Sequence, residues 1–264
     1  MGRLSARLLY HLRTWDRSSQ FALALALPLL LIVLFVGAFG PVNWQQPAVI
    51  GLAGLVVMIQ FIVLWGNRGM VTPLTRAQRQ FVAGEFEVAR DILEELRASG
   101  KANTQALTLL GNTYRQMSLL EESETVLREA LALRPNDYFP LIGFGRTLLA
   151  TGDYGRAAQT IETALAAGAP SVICVDLGEI YYRLGRGDEA QETLQAVRPT
   201  VDEPYRALMI EFLLFRLNVA DQPSRDILNE GLAYWIAAAT RFRHTPYGEA
   251  LAADVLTMQT LLEE

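Results

Sequence analysis

The chain has 264 residues, of which 51% are hydrophobic and 19% are charged, and its formal net charge at pH 7 is −5. Only four of the 23 basic residues and one of the 28 acidic residues precede Arg68, so residues 68–264 carry a net charge of about −8, which argues against nonspecific nucleic-acid binding. The single cysteine, Cys174, excludes an internal disulfide and any metal site built from several cysteines.

Residues 1–20 form a basic segment in which leucines recur at helical spacing between arginines. Two interpretations remain open: an amphipathic helix that lies along the inner leaflet, or a basic tail that sets the membrane topology. The residues concerned are Leu4, Leu8 and Leu12, and Arg3, Arg7, Arg13 and Arg17.

Residues 21–65 carry no charge and are predicted to form a two-helix transmembrane hairpin. The apolar runs Phe21–Phe39 and Ala48–Trp65 have about the length that a helix needs to cross roughly 30 Å of hydrocarbon. Basic residues flank the hairpin, whereas its connection, residues 40–47, is uncharged. Because basic residues near a span stay inside the cell, this pattern predicts a multi-pass protein of a bacterial-type cytoplasmic membrane, with both termini cytoplasmic.

A cleaved signal peptide is the alternative interpretation of the first apolar run. That run is longer than the roughly 7 to 15 apolar residues of such a segment, and no clear cleavage site of small residues follows it. We therefore expect the first run to remain as a membrane span.

Small residues and one amide are the candidate packing sites of the hairpin. Small side chains let membrane helices approach closely, and an amide in hydrocarbon needs a hydrogen-bonding partner. For Gln60 that partner is either the neighbouring helix or a span of another subunit. The predicted packing residues are Ala22, Ala26, Gly51, Gly54 and Gln60.

After a linker at 66–71, residues 72–199 contain a repeat of about 34 residues. A large–small pair recurs at this interval, and a small residue follows twelve positions after each glycine. Two antiparallel helices pack closely only where side chains are small, so this period predicts a two-helix repeat. The pairs are Leu110-Gly111, Phe144-Gly145 and Leu177-Gly178, and the later small residues are Ser123, Ala157 and Ala190.

These residues resemble the tetratricopeptide repeat family from Thr72 to Pro199. The resemblance implies an all-α fold in which four helix pairs stack into a right-handed α-solenoid. The pairs are expected near 72–82 with 86–98, 102–117 with 120–133, 137–151 with 154–167, and 171–184 with 187–198. The second unit departs from the family pattern, since it has Ser118 at the turn glycine and Ser123 at the small position.

Residues 200–264 are predicted to form a degenerate fifth helix pair and a C-terminal capping helix. The last helix begins after Thr245-Pro246, a cap followed by a first-turn proline. Its apolar stripe is predicted to cover the exposed end of the stack, as terminal repeats require. The stripe consists of Leu251, Val255, Met258 and Leu262.

In the tetratricopeptide repeat family the first helix of each pair lines a concave groove that binds protein segments. The resemblance places eight residues there, and their arginines predict an acidic or carboxylate-bearing partner. The alternative is that the arginines pair with nearby carboxylates on a solvated surface. The eight are Gln78, Asn112, Arg115, Gln116, Arg146, Glu179, Tyr182 and Arg183.

Catalytic motifs are missing from the sequence, which has two distant histidines, no phosphate-binding loop and no spacing of metal ligands. We expect that the protein is not an enzyme and that it binds no metal and no cofactor. The favoured function is a membrane-anchored scaffold or adaptor that binds a protein partner during assembly or quality control of a membrane complex. The alternatives are a permanent subunit of a larger membrane complex, and a factor resembling cytochrome c maturation proteins, with the repeats on the outer face.

Overall fold

The computed structural model describes residues 17–66 and 72–263, and every regular element among them is helical. The chain divides into two compact units, Met1–Thr72 and Pro73–Glu264. Residues 1–16 of the predicted basic segment and most of the predicted linker lie outside the described residues, and residues 17–20 form the start of the first helix. Within the described part, the predicted all-α class, with two apolar helices followed by a solenoid of helix pairs, is confirmed.

The first unit contains two long helices, α1 (Arg17–Phe39) and α2 (Val42–Gly66), which pack against each other. The connection is tight: the backbone N–H of Gly40 donates to the carbonyl of Val36 at 2.8 Å. Both helices are long and apolar enough to cross a membrane, by length and composition. Their large side chains are mostly exposed, as Phe35 (65%) and Phe61 (67%) illustrate.

The five predicted packing residues of the hairpin divide between its interior and its surface. Ala26 is buried, Ala22 is half-buried, and a Cβ at Gly51 would lie 3.8 Å from Val33 of α1. Gly54 is exposed and has no neighbour within 4 Å of a Cβ position. Gln60 is also exposed, and its amide has no hydrogen bond to any residue of the described ranges.

The second unit begins with four helix pairs, whose bounds agree with the predicted pairs within about three residues. A 3₁₀ turn, Ser171–Ile173, precedes the fourth pair. The pairs are α3 (Pro73–Val82) with α4 (Phe86–Ala98), α5 (Thr104–Gln116) with α6 (Leu120–Leu133), α7 (Tyr138–Thr151) with α8 (Tyr154–Ala166), and α9 (Cys174–Arg183) with α10 (Gly187–Val197).

The repeated glycines mark where the two helices of a pair approach most closely. A Cβ at Gly111 would lie 2.4 Å from Cγ of Leu127, and one at Gly178 would lie 2.5 Å from Cδ2 of Leu194. A side chain at either position would therefore clash with the facing leucine, because protein interiors are packed to near crystal density and leave no room for it to move. The period of about 34 residues therefore records a contact that recurs in the second, third and fourth pairs.

Ser118 occupies the position where the other three pairs have a glycine in the left-handed region. Its φ is 61°, a conformation that costs a residue with a Cβ roughly 1–2 kcal/mol. Its hydroxyl donates to the carbonyl of Arg241 at 2.6 Å, far along the chain. A tertiary contact thus accompanies the departure from the repeat pattern.

The C-terminal part consists of α11 (Pro204–Arg216), α12 (Arg225–Arg241) and α13 (Pro246–Glu263). Helices α11 and α12 pack as a fifth pair, in which a Cβ at Gly231 would lie 2.8 Å from Cβ of Leu208. The hydroxyl of Thr245 accepts from the N–H of Gly248 at 3.0 Å, which supports the predicted cap of α13.

Helix α13 buries most of its predicted stripe but covers more than the end of the stack. Leu251, Val255 and Met258 are buried, and α13 packs against both α12 and α7, the first helix of the third pair. Pro246 lies 3.1 Å from the position of a Cβ at Gly152, in the turn of that third pair. Helix α13 therefore also lies against the first helix of the third pair, in addition to packing on α12.

Candidate partner-binding groove

The first helices of the pairs form one side of the second unit, here called the groove face (α3, α5, α7 and α9). Helix α3 lies beside α5, and α5 lies beside α7. Arg146 of α7 reaches Asp176 of α9. All eight predicted partner-binding residues lie on these four helices.

One part of the groove face is uncovered and forms a cleft of about 510 Å³, here called the open cleft. Most of its lining side chains carry amides or hydroxyls, which can donate to and accept from a peptide backbone. Phe139 is 62% exposed and stacks on Tyr138 with ring centroids 4.5 Å apart, so it offers apolar surface at the rim. The lining residues are Gln78, Asn103, Thr104, Gln105, Thr108, Leu109, Asn112, Arg134, Asp137 and Phe139.

A second, smaller cleft of about 140 Å³ lies where α5, α7 and α9 meet α11, α12 and the start of α13. We call it the arginine cleft, because four guanidinium groups line it. Two carboxylates and several aromatic side chains complete the wall. The polar and aromatic lining residues are Arg115, Gln116, Arg146, Asp176, Glu179, Tyr205, Arg206, Tyr234, Trp235, Arg241, Phe242 and Tyr247.

Arg146 is already neutralised within the chain. Its Nη2 and Nε donate to Oδ2 of Asp176 at 2.7 and 3.0 Å. The negative charge of Asp176 raises the pKa of Arg146 above its ordinary value, against the opposing effect of burial. A bound segment would have to compete with this ion pair.

Arg183 lies in a buried ionic cluster that joins α9 to α13. Its guanidinium is 3.2 Å from Glu179 and 2.6 Å from Asp254, and all three side chains are at most 6% exposed. Burial alone would lower the pKa of Arg183, but Glu179 and Asp254 outweigh it and raise that pKa. While α13 is in place, Glu179 and Arg183 have no access to a partner.

Burial also acts on the two groups beside Arg183. It raises the pKa of the Glu179 carboxyl, although the charge of Arg183 opposes the shift. It raises the pKa of Tyr247 well above the ordinary value. Tyr182 is half-buried, with the Arg183 guanidinium 5.6 Å from its ring centroid. This end of the predicted groove is therefore filled by the chain itself.

Arg115 differs from the other two predicted arginines, because it has no ion pair within the described residues. Its Nη2 donates to Oδ1 of Asn112 over 3.3 Å, while its Nε is buried without a hydrogen-bond partner there. Burial and the nearby charge of Arg146 lower the pKa of Arg115 to about 10. At neutral pH the Arg115 guanidinium remains a cation, and no carboxylate of residues 17–66 or 72–263 forms an ion pair with it.

The structure brings together five of the eight predicted residues in or beside the arginine cleft: Asn112, Arg115, Gln116, Arg146 and Glu179. Gln78 faces the open cleft, where Asn112 joins it, and Tyr182 and Arg183 lie outside both linings. Four further residues of these surfaces were not predicted from the sequence: Phe139, Asp176, Arg241 and Asp254. Asp176 lies 30 residues after Arg146, nearly one repeat, and this spacing is a usable signal. Arg241 and Asp254 lie beyond the repeats, where no period points to them.

Two segments of the second unit match family models described as tetratricopeptide repeat, over residues 74–138 and 148–209. Tetratricopeptide repeat protein 21B of Homo sapiens is 32% identical over 108 residues, which are 40% of this chain and 8% of that protein. The Mus musculus protein of the same name is 31% identical over 91 residues, 34% of this chain and 7% of that protein. The chain thus spans less than a tenth of the length of these curated relatives.

A solved structure supports the same fold. A thermophilic TPR protein of Thermus thermophilus, TTC0263, superposes with a TM-score of 0.52 over 71% of this chain and 97% of that chain. The two sequences are 16% identical, so the likeness concerns the fold alone.

Proposed function

We propose that this chain, whose residues 74–138 and 148–209 are tetratricopeptide repeats, is a membrane-anchored scaffold that binds a segment of a protein partner. One observation carries the proposal. Helices α11, α12 and α13 cover the half of the groove face over α7 and α9, while the half over α3 and α5 remains an open, polar cleft of about 510 Å³. Proteins use such concave surfaces for ligands.

Membrane anchoring is supported by the composition and exposure of α1 and α2. Their exposed leucine, phenylalanine and valine side chains would be costly in water and favourable in hydrocarbon. The flanking arginines and the uncharged connection favour both termini in the cytoplasm. An anchored scaffold raises the local concentration of its partner near other membrane proteins, which suits assembly or quality control of a membrane complex.

The chemistry of the open cleft suits an extended segment whose backbone groups hydrogen-bond to amides and hydroxyls. Gln78, Asn112 and Thr108 supply donors and acceptors, and Phe139 can pack against an apolar side chain. An acidic residue in that segment would have Arg134 as its binding group, since Arg134 lines the open cleft 3.9 Å from Asp137, whereas Arg115, Arg146 and Arg183 lie outside that lining.

Site-specific crosslinking in intact membranes tests this function. A photo-crosslinking residue at Gln105, which is exposed in the open cleft, is expected to capture a defined protein. The change Phe139→Asp is expected to reduce that capture about 10-fold or more, because it replaces apolar contact surface with a charge. Leu256→Asp is the matched control: Leu256 is 65% exposed on α13, away from the open cleft, and its replacement should leave capture unchanged.

If the Phe139→Asp protein captured as much partner as the natural protein does, the open cleft would not be the partner-binding site. The same experiment also distinguishes the alternative of a permanent subunit. That alternative is favoured by the exposed amide of Gln60, which has no hydrogen bond to the part of the chain that the structure describes. Such a subunit would co-purify stoichiometrically at high salt whatever residue stands at 139. Protease protection of the repeats in sealed cells would instead favour the scaffold over a factor with repeats on the outer face.

A further inference from the structure

The arginine cleft contains more positive than negative charge once its internal pairs are counted. Asp176 neutralises Arg146, Glu203 pairs with Arg206, and Glu179 is held by Arg183 from outside the cleft. Two guanidinium groups then remain in the lining without an ion pair to a described residue: those of Arg115 and Arg241.

Both remaining cations are held in place by the fold. Arg115 is the second-last residue of α5 and has its Nε buried without a hydrogen-bond partner among the described residues. Arg241 ends α12, and its carbonyl accepts the bond from the hydroxyl of Ser118, which holds this end of α12 beside the α5–α6 turn. The Arg241 guanidinium lies over the Phe242 ring, 5.9 Å from its centroid. The fold therefore brings two positive charges from distant parts of the chain to one enclosed site.

A buried cation without a counter-ion is costly, since it loses its hydration and gains no paired negative charge. A bound anion would remove most of that cost. Guanidinium groups bind phosphate and carboxylate oxygens through paired N–H donors. The cleft volume of about 140 Å³ is well below the roughly 300–1,000 Å³ of pockets for drug-sized ligands, so the site suits a single small group.

We propose that the arginine cleft is a binding site for a phosphate-type dianion, held between Arg115 and Arg241. Two uncompensated positive charges match a group of two negative charges better than they match a single carboxylate. The carboxylates of Asp176 and Glu179 also line the cleft and repel an anion, but each is already paired with an arginine. The dianion is either free phosphate or a phosphate group carried by a partner's side chain.

Thermal unfolding of the full chain in micelles of a neutral detergent tests the proposal, with inorganic phosphate compared with chloride at matched ionic strength. Phosphate is expected to raise the unfolding temperature saturably, because a ligand that binds only the native state stabilises it. Arg115→Gln should abolish the shift, and Arg241→Gln should weaken the apparent affinity by at least about 10-fold. Arg225→Gln is the matched control, because Arg225 is exposed at the other end of α12 and lies outside the cleft.

A second arm compares a phosphoserine peptide with its unphosphorylated form. Stabilisation by phosphate and by the phosphopeptide indicates a site open to both sources, whereas stabilisation by the phosphopeptide alone indicates a group carried by a partner. If neither stabilises more than chloride, or if the Arg115→Gln protein responds as the natural one does, the proposal is wrong.

Two further variants keep the result interpretable. Arg115→Lys retains the charge without the paired donors, so a folded Arg115→Lys protein should bind phosphate more weakly than the natural protein, and far-ultraviolet circular dichroism verifies the fold. Phe139→Asp should leave the phosphate response unchanged, so the outcome is separate from that of the scaffold function.

Discussion

The groove face has an open half and a covered half, although both are built from the same repeat. Over α3 and α5, Gln78 and Asn112 face the open cleft. Over α7 and α9, Arg146 and Glu179 are paired within the chain, and α13 covers the surface. Equivalent positions in a repeat are thus not equivalent in function, because the segments that follow the repeats decide which of them stay accessible.

The two halves also differ in what stabilises them. The open half depends on apolar contacts within and between helix pairs, with a small core around Leu93, Leu110 and Val126. The covered half adds a large core that α11, α12 and α13 share, and a buried ionic cluster around Arg183. Substitutions in each half can therefore separate the stability that α11, α12 and α13 contribute from the stability that packing within the helix pairs contributes.

The largest expected effect comes from breaking the ionic cluster that joins α13 to the first helices. Asp254→Ala leaves Arg183 with one carboxylate instead of two and removes the longer contact of Arg216, 3.7 Å away. We expect the free energy of unfolding to fall by about 3–5 kcal/mol, as for other broken buried ion pairs. Chemical denaturation followed by the fluorescence of Trp235, which is buried on α12, measures the loss.

Asp91→Ala is the control for this measurement. Asp91 pairs with Arg90 at 2.8 Å on the exposed side of α4, where ion pairs contribute little. Its replacement should leave the denaturation midpoint nearly unchanged. Equal losses in the Asp254 and Asp91 variants would mean that the cluster does not hold α13 in place.

An intermediate effect is expected from the glycines at which the helices of a pair meet. Gly111→Ala in the open half and Gly178→Ala in the covered half each place a methyl group about 2.5 Å from a buried leucine. Each should lower the free energy of unfolding by about 1–3 kcal/mol, the usual cost of overpacking. Denaturant titration of the two variants side by side checks whether the halves pack equally well.

Gly155→Ala, in the first turn of the second helix α8, should change the free energy of unfolding in the opposite direction. A Cβ there would meet nothing within 4 Å, so alanine should raise the free energy of unfolding by up to about 1 kcal/mol through its better helix propensity. A much smaller loss of unfolding free energy for Gly111→Ala than for Gly178→Ala would show that the open half accommodates the added methyl group more easily. The two halves would then also differ in how tightly their cores are packed.

The smallest effect concerns Ser123, which lies between the halves. Its fully buried hydroxyl donates to the carbonyl of Gly111 at 2.8 Å and shares a hydrogen bond of 2.8 Å with Thr147 of α7. Ser123→Ala restores the residue usual at this place in the repeat, yet we expect it to destabilise the protein by about 1 kcal/mol. The same titration measures it, with Thr125→Ala on the exposed face of α6 as a control. A gain in stability would show that the bond to α7 is not needed.

Much of the fold was predictable from the sequence, because it depends on contacts that recur. The large–small pairs, the turn glycines and the apolar stripes return about every 34 residues, so the bounds of the helix pairs follow from the pattern. The uncharged stretch before the repeats predicted two long apolar helices, because length and apolar composition are enough to indicate such helices without knowledge of their contacts. The register of the repeat also placed Gln78 and Asn112 on the surface that lines the open cleft.

The tertiary structure decided which predicted groove residues remain free. The bond from Ser118 to Arg241 joins residues 123 positions apart, and the contact of Arg183 with Asp254 likewise reaches beyond the repeats. Such contacts occur once and leave no periodic trace. Pairing energies of buried charges depend on distances of a few ångströms, which only the folded chain sets. The sequence therefore determined the stack of helix pairs. The folded chain determined that Arg146 pairs with Asp176 of α9 and Arg183 with Asp254 of α13, while Arg115 lacks an ion pair within the described residues.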